Sequence, residues 1–275
     1  MTRVALVCWW LATACEARLP PPAFDGGVTD TRVAETATSE EETLATVWCR
    51  EHEGDILIES RESFDTDYWL VRKLIGSVVS RSPEGFWNPD MREVTGDFVV
   101  DGTPAAPVSA HIGMASLRDI GGDLRVRHTQ RGLLDFGRLE HLGGRFDASH
   151  GRWVIHLPKL LQLDGLELHD ATIDHLDLRS LHTSLGPVRV VRVEGLTELA
   201  LPALATIGGP GDALVIDGVA ALARLDLSSL ARVSGNVRVT NNPMLTRTVI
   251  HDALDGVVVS GELVICGNAG ETPCP

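Results

Sequence analysis

The residues best suited to chemistry in this sequence are the acidic and histidine residues between positions 164 and 182. They are Asp164, Glu167, His169, Asp170, Asp174, His175, Asp177 and His182. Such side chains could bind a metal ion, and carboxylates on neighbouring strands could flank a sugar bond for acid–base hydrolysis. However, no histidine pair has the His-x-x-x-His spacing, and the sequence alternates so that these side chains fall on different faces. We therefore interpret the stretch as solvated surface and predict no catalytic residue, metal site or cofactor.

Other chemical motifs are missing from the sequence. It contains no G-x-S-x-G, no phosphate-binding loop and no paired C-x-x-C. The glycines of "GGPGD" (Gly208, Gly209, Gly211) lead into another apolar stretch instead of a helix, so we interpret them as corners. The formal charge of −14 argues against nucleic-acid binding, which requires clustered Lys and Arg.

A glycine-led repeat determines the architecture. Its glycines have a mean spacing of 23 residues and are Gly54, Gly76, Gly96, Gly122, Gly144, Gly165, Gly186, Gly211, Gly235 and Gly261. A period of this size indicates a solenoid. Apolar residues alternate after each glycine, as at Leu124 and Val126 or Leu166 and Leu168, and this alternation predicts strands that point one apolar face inward.

A second phrase, apolar-x-apolar-x-x-Leu-x-x-apolar-x-Gly, closes most repeats. One copy has Leu199, Leu201, Leu204 and Ile207 at its apolar positions. The copy from Leu176 to Leu185 carries one extra residue in this alignment. We infer two short strands per coil, stacked because a single coil cannot bury its own inward face. With apolar residues at 44% but aromatic residues at only 5%, the core is expected to be aliphatic.

The phrases "LALPALATIGG" (199–209) and "SGNVRVTNNPML" (234–245) resemble the receptor L-domain family. This resemblance covers about residues 49–268 and implies an all-β, right-handed β-solenoid of about ten short coils. The family occurs in growth-factor receptor ectodomains and in bacterial and fungal surface proteins. The horseshoe leucine-rich repeat is similar, but Leu204 occupies the place of its corner Asn.

Outward positions of the main strands form the candidate ligand face. The row consists of Arg125, Asp147, Glu167, Arg189, Val215 and Arg238, and stacking predicts the ion pairs Arg125–Asp147 and Glu167–Arg189. We favour a solvated face over a ligand-facing strip, since exposed cross-strand pairs contribute only about 0.2–1 kcal/mol each. If a ligand binds, the candidate residues are Arg125, Asp147, Glu167, His169 and Arg189.

These observations favour a non-catalytic binding or adhesion module that presents a flat sheet face to a protein or glycan at the cell surface. The alternative is a polysaccharide-acting β-helix enzyme with carboxylates on adjacent coils. Such an enzyme normally carries a long aromatic loop, whereas the coils here are short and regular.

The N-terminus predicts export. Residues 1–14 contain Arg3 and an apolar run too short to span a bilayer, and they resemble a bacterial lipoprotein signal ending before Cys15. We expect Cys15 to carry the lipid that anchors the protein, its only membrane contact, in a bacterial cell envelope. Ordinary cleavage would leave a secreted protein. Residues 15–48, which include three consecutive prolines and are acidic, are expected to form a flexible tether to a solenoid at 49–275.

The cysteines leave two possibilities open. Cys266 and Cys274 enclose the polar loop "GNAGETP", so we predict a disulfide between them. Nine coil spacings of about 4.8 Å place Cys49 roughly 43 Å from Cys266, out of bonding range. Either Cys15 is lipidated and Cys49 is unpaired, or Cys15 pairs with Cys49, which the even number of mature cysteines favours.

Overall fold

The fold was obtained as a computed structural model that describes residues 50–60, 68, 71–82, 84–102 and 109–274. Residues Glu51–Pro275 form one compact unit. Parallel strands stack in it as a β-solenoid of about nine turns, which confirms the predicted all-β solenoid. Each complete coil runs along three walls, which we call walls A, B and C in the order in which the chain passes through them.

Wall A is a sheet of ten short strands, one from each coil. Its strands are β1 (Arg50–Glu53), β3 (Val71–Ile75), β6 (Glu93–Val94), β9 (Asp119–Ile120), β11 (His141–Leu142), β13 (Gln162–Leu163), β16 (Thr183–Ser184), β19 (Thr206–Ile207), β22 (Arg232–Val233) and β24 (Val258–Val259).

Wall B contains the longer strands that the sequence predicted. They are β2 (Ile56–Ile58), β4 (Val78–Ser80), β7 (Phe98–Asp101), β10 (Leu124–Asp135), β12 (Arg145–His156), β14 (Gly165–His169), β17 (Val188–Val191), β20 (Asp212–Asp217), β23 (Asn236–Thr240) and β25 (Leu263–Cys266). Strands β10 and β12 continue around the next corner, so their second halves belong to wall C.

Wall C completes the prism and was not predicted as a separate strand. It consists of β5 (Glu84–Trp87), β8 (Ser109–Gly113), the second halves of β10 and β12, β15 (Thr172–Asp177), β18 (Glu198–Ala200) and β21 (Arg224–Asp226). The expectation of two strands per coil is therefore wrong. The second phrase of the repeat covers a wall C strand, a leucine at the corner and the following wall A strand. Helix α1 (Arg247–Leu254) follows beside β21 and begins at Thr246, whose Oγ1 accepts a hydrogen bond from the Val249 amide.

Inward positions form continuous aliphatic ladders, as the alternation predicted. Leu166 and Leu168 of β14 align with Val188 and Val190 of β17, and all four are completely buried. Leu263 of β25 is 47% exposed because β25 is the last strand of its sheet. The inward side chains of this last strand are thus covered by a neighbouring coil on one side only.

The copy of the second phrase at Leu176–Leu185 contains no extra residue. Ser184, three residues after Leu181, fills the inward position of wall A and aligns with Leu163 and Ile207. The Ser184 hydroxyl donates to the Gly186 carbonyl oxygen at 2.8 Å, which satisfies it inside the core. Leu185, which the sequence suggested as the inward residue, is 54% exposed.

Side chains at the start of wall B connect successive coils. The Ser77 amide donates to Asp55 Oδ1 at 2.8 Å, and the Asp97 amide donates to Ser77 Oγ at 3.1 Å. The Asp123 amide donates to Asp97 Oδ1 at 2.9 Å, and the Arg145 amide donates to Asp123 Oδ1 at 2.8 Å. This ladder fixes the acidic side chains beside the outward row of wall B.

The predicted disulfide is present, since Cys266 and Cys274 are bonded with their Cα atoms 5.1 Å apart. Among the described residues, no helix has the length and apolar character needed to cross a membrane.

Candidate functional site

The outward row predicted from the sequence lies in register across wall B. Arg125 aligns with Asp147, Asp147 with Glu167, and Glu167 with Arg189. Val215 and Arg238 continue the row on the next two coils. Adjacent members of the row are therefore one strand spacing apart, about 4.8 Å along the solenoid.

The ion pairs within this row are only partly those that we expected. Glu167 Oε1 is 3.9 Å from Arg189 Nη1, as predicted, and 3.6 Å from Arg145 Nη1. In the described part of the chain, Arg125 and Asp147 form no ion pair with each other, although their backbones are adjacent. Each forms an ion pair with another residue instead: Arg125 with Asp123, and Asp147 with Arg127.

Arg125 instead contacts the acidic ladder at the start of the wall. It pairs with Asp123, the residue just before β10, and its Nη1 is 3.5 Å from Asp97 Oδ2. Burial alone would raise the pKa of Asp123, but hydrogen bonds from the Arg145 amide and the Arg125 guanidinium outweigh it and lower the pKa below its ordinary value. Arg125 is thus held by two carboxylates other than that of Asp147.

Wall B ends at a corner whose backbone is left-handed. His128, His150, Asp170 and Arg192 occupy it on successive coils with φ between 50° and 52°, and Asn241 occupies it further along with φ of 58°. The left-handed conformation costs a residue with a side chain about 1–2 kcal/mol, less for Asp and Asn. The corner therefore carries functional groups at positions where glycine would be favoured.

Three imidazole rings meet at this corner, and we call His128, His150 and His169 the histidine corner. The rings of His128 and His150 are stacked with centroids 5.0 Å apart, and the ring of His169 meets that of His150 edge-on at 5.8 Å. His169 Nε2 is 3.4 Å from Asp147 Oδ1, and its Nδ1 is 3.4 Å from Asp170 Oδ2. Two carboxylates thus orient the His169 ring.

Asp147 is the most enclosed member of the predicted face. Its 8% exposure contradicts the expectation of a solvated side chain, because Arg127 and His169 cover it. Within the described residues, Asp147 Oδ1, His128 Nδ1 and Ser149 Oγ are buried without an aligned hydrogen-bond partner. Because buried polar atoms are normally paired, this unused capacity marks the corner as unusual within the fold.

A shallow hollow of about 200 Å³ lies on wall B beside the histidine corner. It is lined by Glu167, Leu168, His169, Arg189, Val191 and Arg192. The structure therefore brings together three of the five predicted face residues: Glu167, His169 and Arg189. Asp147 contacts His169, whereas Arg125 lies outside the lining.

Fixed charges border this hollow. Arg192 Nε is 2.6 Å from Asp170 Oδ1, and Arg192 Nη2 is 2.8 Å from Asp170 Oδ2. Hydrogen bonding from Arg192 lowers the pKa of Asp170 to about 2, so this carboxylate stays charged at neutral pH. The pair presents one cation and one anion in a set geometry, an arrangement suited to recognition of a charged or polar surface.

Of the remaining polar residues between positions 164 and 182, Asp174, His175 and Asp177 lie together on β15 of wall C, away from the hollow, so the predicted dispersal holds only in part. Asp174 Oδ2 pairs with Arg152 Nε at 2.6 Å, and Asp177 Oδ1 pairs with Arg179 Nε at 2.8 Å, both on wall C. His182 Nδ1 lies 2.5 Å from the carbonyl oxygen of Ser180. Among the described residues, no three His, Cys, Asp or Glu side chains are arranged to hold a metal ion.

Sequence reasoning missed several residues of this site, namely Arg127, His128, Arg145, His150 and Arg192. A signal for most of them exists. Corner residues follow the outward row by three positions, as His128 follows Arg125 and Arg192 follows Arg189. Continuing the strand pattern of each coil to the residue three positions after the outward row would have placed the corner side chains together.

Four predictions concern residues outside the described part of the chain. The signal peptide at 1–14, the tether at 15–48, the Cys15 lipid anchor and the alternative Cys15–Cys49 pair all fall there.

Comparison with protein-family models, curated proteins and solved structures gives no match. The resemblance to the receptor L-domain family therefore stays a prediction from the sequence.

Proposed function

We propose that this protein is a non-catalytic binding module of the cell envelope that presents the outer face of wall B to a protein or glycan partner. The observation that carries this proposal is the hollow at Glu167, His169 and Arg189, set in a continuous parallel sheet whose charged side chains are fixed by ion pairs. A flat sheet with positioned charges offers an extended contact surface.

Preorganised charges favour recognition for a physical reason. Side chains that are already ordered lose less conformational entropy on binding, and complementary charges select a partner and accelerate association. The side chains of Arg189 and Arg192 are 44% and 63% exposed, respectively, so their guanidinium groups remain available at the rim of the hollow. An acidic or hydroxyl-rich group can accept their remaining N–H donors.

The proposed location depends on the N-terminal sequence and on the disulfide. A signal peptide at 1–14 followed by Cys15 supports export and lipid anchoring, with secretion as the alternative. The Cys266–Cys274 bond is consistent with an oxidising compartment. An acidic tether at 15–48 would hold the solenoid away from the membrane.

The enzyme alternative has less support from the same residues. Glycoside hydrolysis needs two carboxyl groups that both reach the scissile bond. Glu167 pairs with Arg145 and Arg189, and Asp147 is enclosed by Arg127 and His169. These contacts hold both carboxylates beside basic side chains, which suits a structural or recognition role better than acid–base chemistry.

The proposal is tested by measuring binding of the purified mature protein to a panel of envelope polysaccharides and purified envelope proteins. We expect the double variant Arg189→Glu/Arg192→Glu to bind its partner about tenfold or more weakly, since it reverses two rim charges. Arg238→Ala, on the same wall outside the hollow, is the matched control and should bind normally. Polysaccharide turnover that Glu167→Gln abolishes in a folded protein would instead establish the enzyme.

A further inference from the structure

Wall C is interrupted at one point. Strand β15 pairs with β12, and β18 pairs with β21, but no ladder joins β15 to β18 although both are within the described chain. At the end of β12, the Leu157 amide donates to the Asp177 carbonyl oxygen at 3.0 Å. In the described structure, the equivalent bond from Leu178 to Ala200 is missing.

The interruption arises where the form of the coil changes. Thr172 still bridges to Glu194, and the Ile173 amide donates to the Glu194 carbonyl oxygen at 2.8 Å. Gly195 then adopts φ of 77°, and the shorter strand β18 begins at Glu198. Because β18 is in register only with the following coil, the part of β15 after Ile173 and the facing edge of β18 form no ladder with each other.

An open cleft of about 290 Å³ lies at this interruption, near the lower end of the range for small-molecule sites. Its polar lining consists of Asp174, His175, Asp177, Arg179, Thr197 and Glu198. Its apolar lining consists of Leu176, Leu178, Leu196, Ala200 and Pro202. None of these residues lines the hollow on wall B, so the cleft is a separate candidate site.

The width of the cleft excludes an inserted peptide strand. A strand placed between β15 and β18 would need them about 9.6 Å apart, which is two strand spacings. Their Cα atoms approach within 8 Å of each other. The cleft can therefore admit a compact group from the side but not an extended backbone.

The charges of the lining are already balanced. Asp174 pairs with Arg152, and Glu198 Oε2 is 3.0 Å from Arg224 Nη2. Asp177, whose side chain is 5% exposed, is held by Arg179. A charged ligand would thus meet no unpaired charge among these described residues.

Hydrogen-bonding capacity nevertheless remains in the cleft. Asp174 and Glu198 each engage arginine through one oxygen, so in the described structure the second oxygen of each is open to a donor. The exposed Thr197 and the unpaired strand edges add donors and acceptors beside the partly exposed apolar side chains of Leu176 and Pro202. An uncharged ligand with many hydroxyl groups and an apolar face fits this lining.

We infer that the cleft between β15 and β18 binds one unit of a neutral saccharide. Sugar hydroxyls would donate to Asp174 and Glu198 and accept from Thr197, while the C–H face of the ring would lie on Leu176 and Pro202. This site is additional to the surface of the proposed function, and the two can fail independently.

The test is calorimetric titration of the full mature chain with three neutral hexasaccharides: cellohexaose, mannohexaose and chitohexaose. We expect at least one to bind, and we expect Ala200→Trp, which fills the cleft, to abolish that binding. Glu198→Ala, which removes one acceptor on an exposed side chain, should weaken binding by about tenfold. Circular dichroism and thermal unfolding of both variants confirm that the solenoid is intact.

The control is Arg238→Ala on wall B, which lines neither the cleft nor the hollow and should leave saccharide binding unchanged. The inference is overturned if none of the hexasaccharides binds at about 1 mM, a very weak affinity. It is equally overturned if Glu198→Ala and a folded Ala200→Trp bind like the unmodified protein. Tighter binding of tetragalacturonate or of an extended peptide than of the neutral sugars would also overturn it.

Discussion

Asp170 and Arg192 occupy the same left-handed corner on successive coils and are joined by two hydrogen bonds, of 2.6 and 2.8 Å. The stacking of the solenoid thus converts a sequence separation of 22 residues into a two-point ion pair. Asp170 also accepts a contact from His169, which connects the pair to the histidine corner. The corner is therefore where the repeat geometry and the candidate site meet.

The Asp170–Arg192 pair predicts a loss of stability in acid. A carboxyl group whose pKa is lowered by folding stabilises the fold above its ordinary value, 3.8, and loses that contribution as the pH falls toward about 2. The pKa values of Asp123 and Asp177 shift in the same direction. We expect the free energy of unfolding, measured with urea, to decrease across this pH range.

Site-specific NMR titration separates the contribution of Asp170. Its carboxyl group should titrate at about 2 in the unmodified protein and nearer 3.8 in Arg192→Ala. A midpoint that does not change in this variant would show that Arg192 does not cause the lowered pKa.

The left-handed corner predicts an unusual effect of glycine. His150 adopts φ of 50°, so His150→Gly should be more stable than His150→Ala by about 1 kcal/mol, because both variants remove the ring and only alanine keeps the strained conformation. Chemical denaturation of the two variants measures this difference. Equal stability would indicate that the corner backbone relaxes when the ring is absent.

Much of the solenoid could be predicted because its physical signal is local and repeated. Period-two alternation identified both the inward ladder and the outward row of wall B, including the alignment of Glu167 with Arg189. Wall C escaped prediction because β10 and β12 turn the corner as continuous strands, and the glycine that follows His150 at the bend of β12 is replaced by Ala171 and Val193 after Asp170 and Arg192, so no repeated glycine marks the bend. Ser184 was missed because apolar patterning cannot recognise a buried hydroxyl whose partner, the Gly186 carbonyl, lies two residues away.

The chemistry of the site was harder to predict than its position. Asp147 is buried because Arg127 and His169 fold over it, and such choices among partners depend on side-chain conformation. The left-handed corner was hidden because its residue type changes from coil to coil, from His128 and His150 to Asp170 and Arg192, so no repeated residue marks it. Sequence reasoning therefore located the face but not the histidine corner.

Close stacking of coils predicts which glycines are essential. A Cβ atom at Gly186 would lie 2.0 Å from the Asp164 carbonyl oxygen of the preceding coil, so Gly186→Ala forces the backbones apart. We expect it to destabilise the fold by about 1–3 kcal/mol, the usual cost of overpacking. Gly137→Ala is the control, since its Cβ would make only an ordinary 3.6 Å contact with Asp135. Thermal unfolding should distinguish them, and equal melting temperatures would contradict the stacking.

Opposite faces of the coil should respond differently to charge. Leu204 is completely buried in the interior ladder, and Leu204→Asp would place an unpaired carboxylate there at a cost comparable to the stability of a whole domain. We expect loss of soluble expression for Leu204→Asp and for Leu230→Asp. Arg238→Ala, on the outer face of wall B, should express normally. Equal yields of the two leucine variants and of Arg238→Ala would mean that the inward and outward faces of the strands are inverted.

The N-terminus gives the last prediction, which mass spectrometry of the native protein decides. If the signal at 1–14 is that of a lipoprotein, the mature chain begins at a lipidated Cys15, and Cys15→Ser should release the protein from the membrane fraction. If cleavage is ordinary, the protein is secreted and Cys15 carries no lipid. A peptide that contains Cys15 bonded to Cys49 should then appear in the unreduced sample. The Cys266–Cys274 peptide serves as the internal control, since that disulfide should be present in either case.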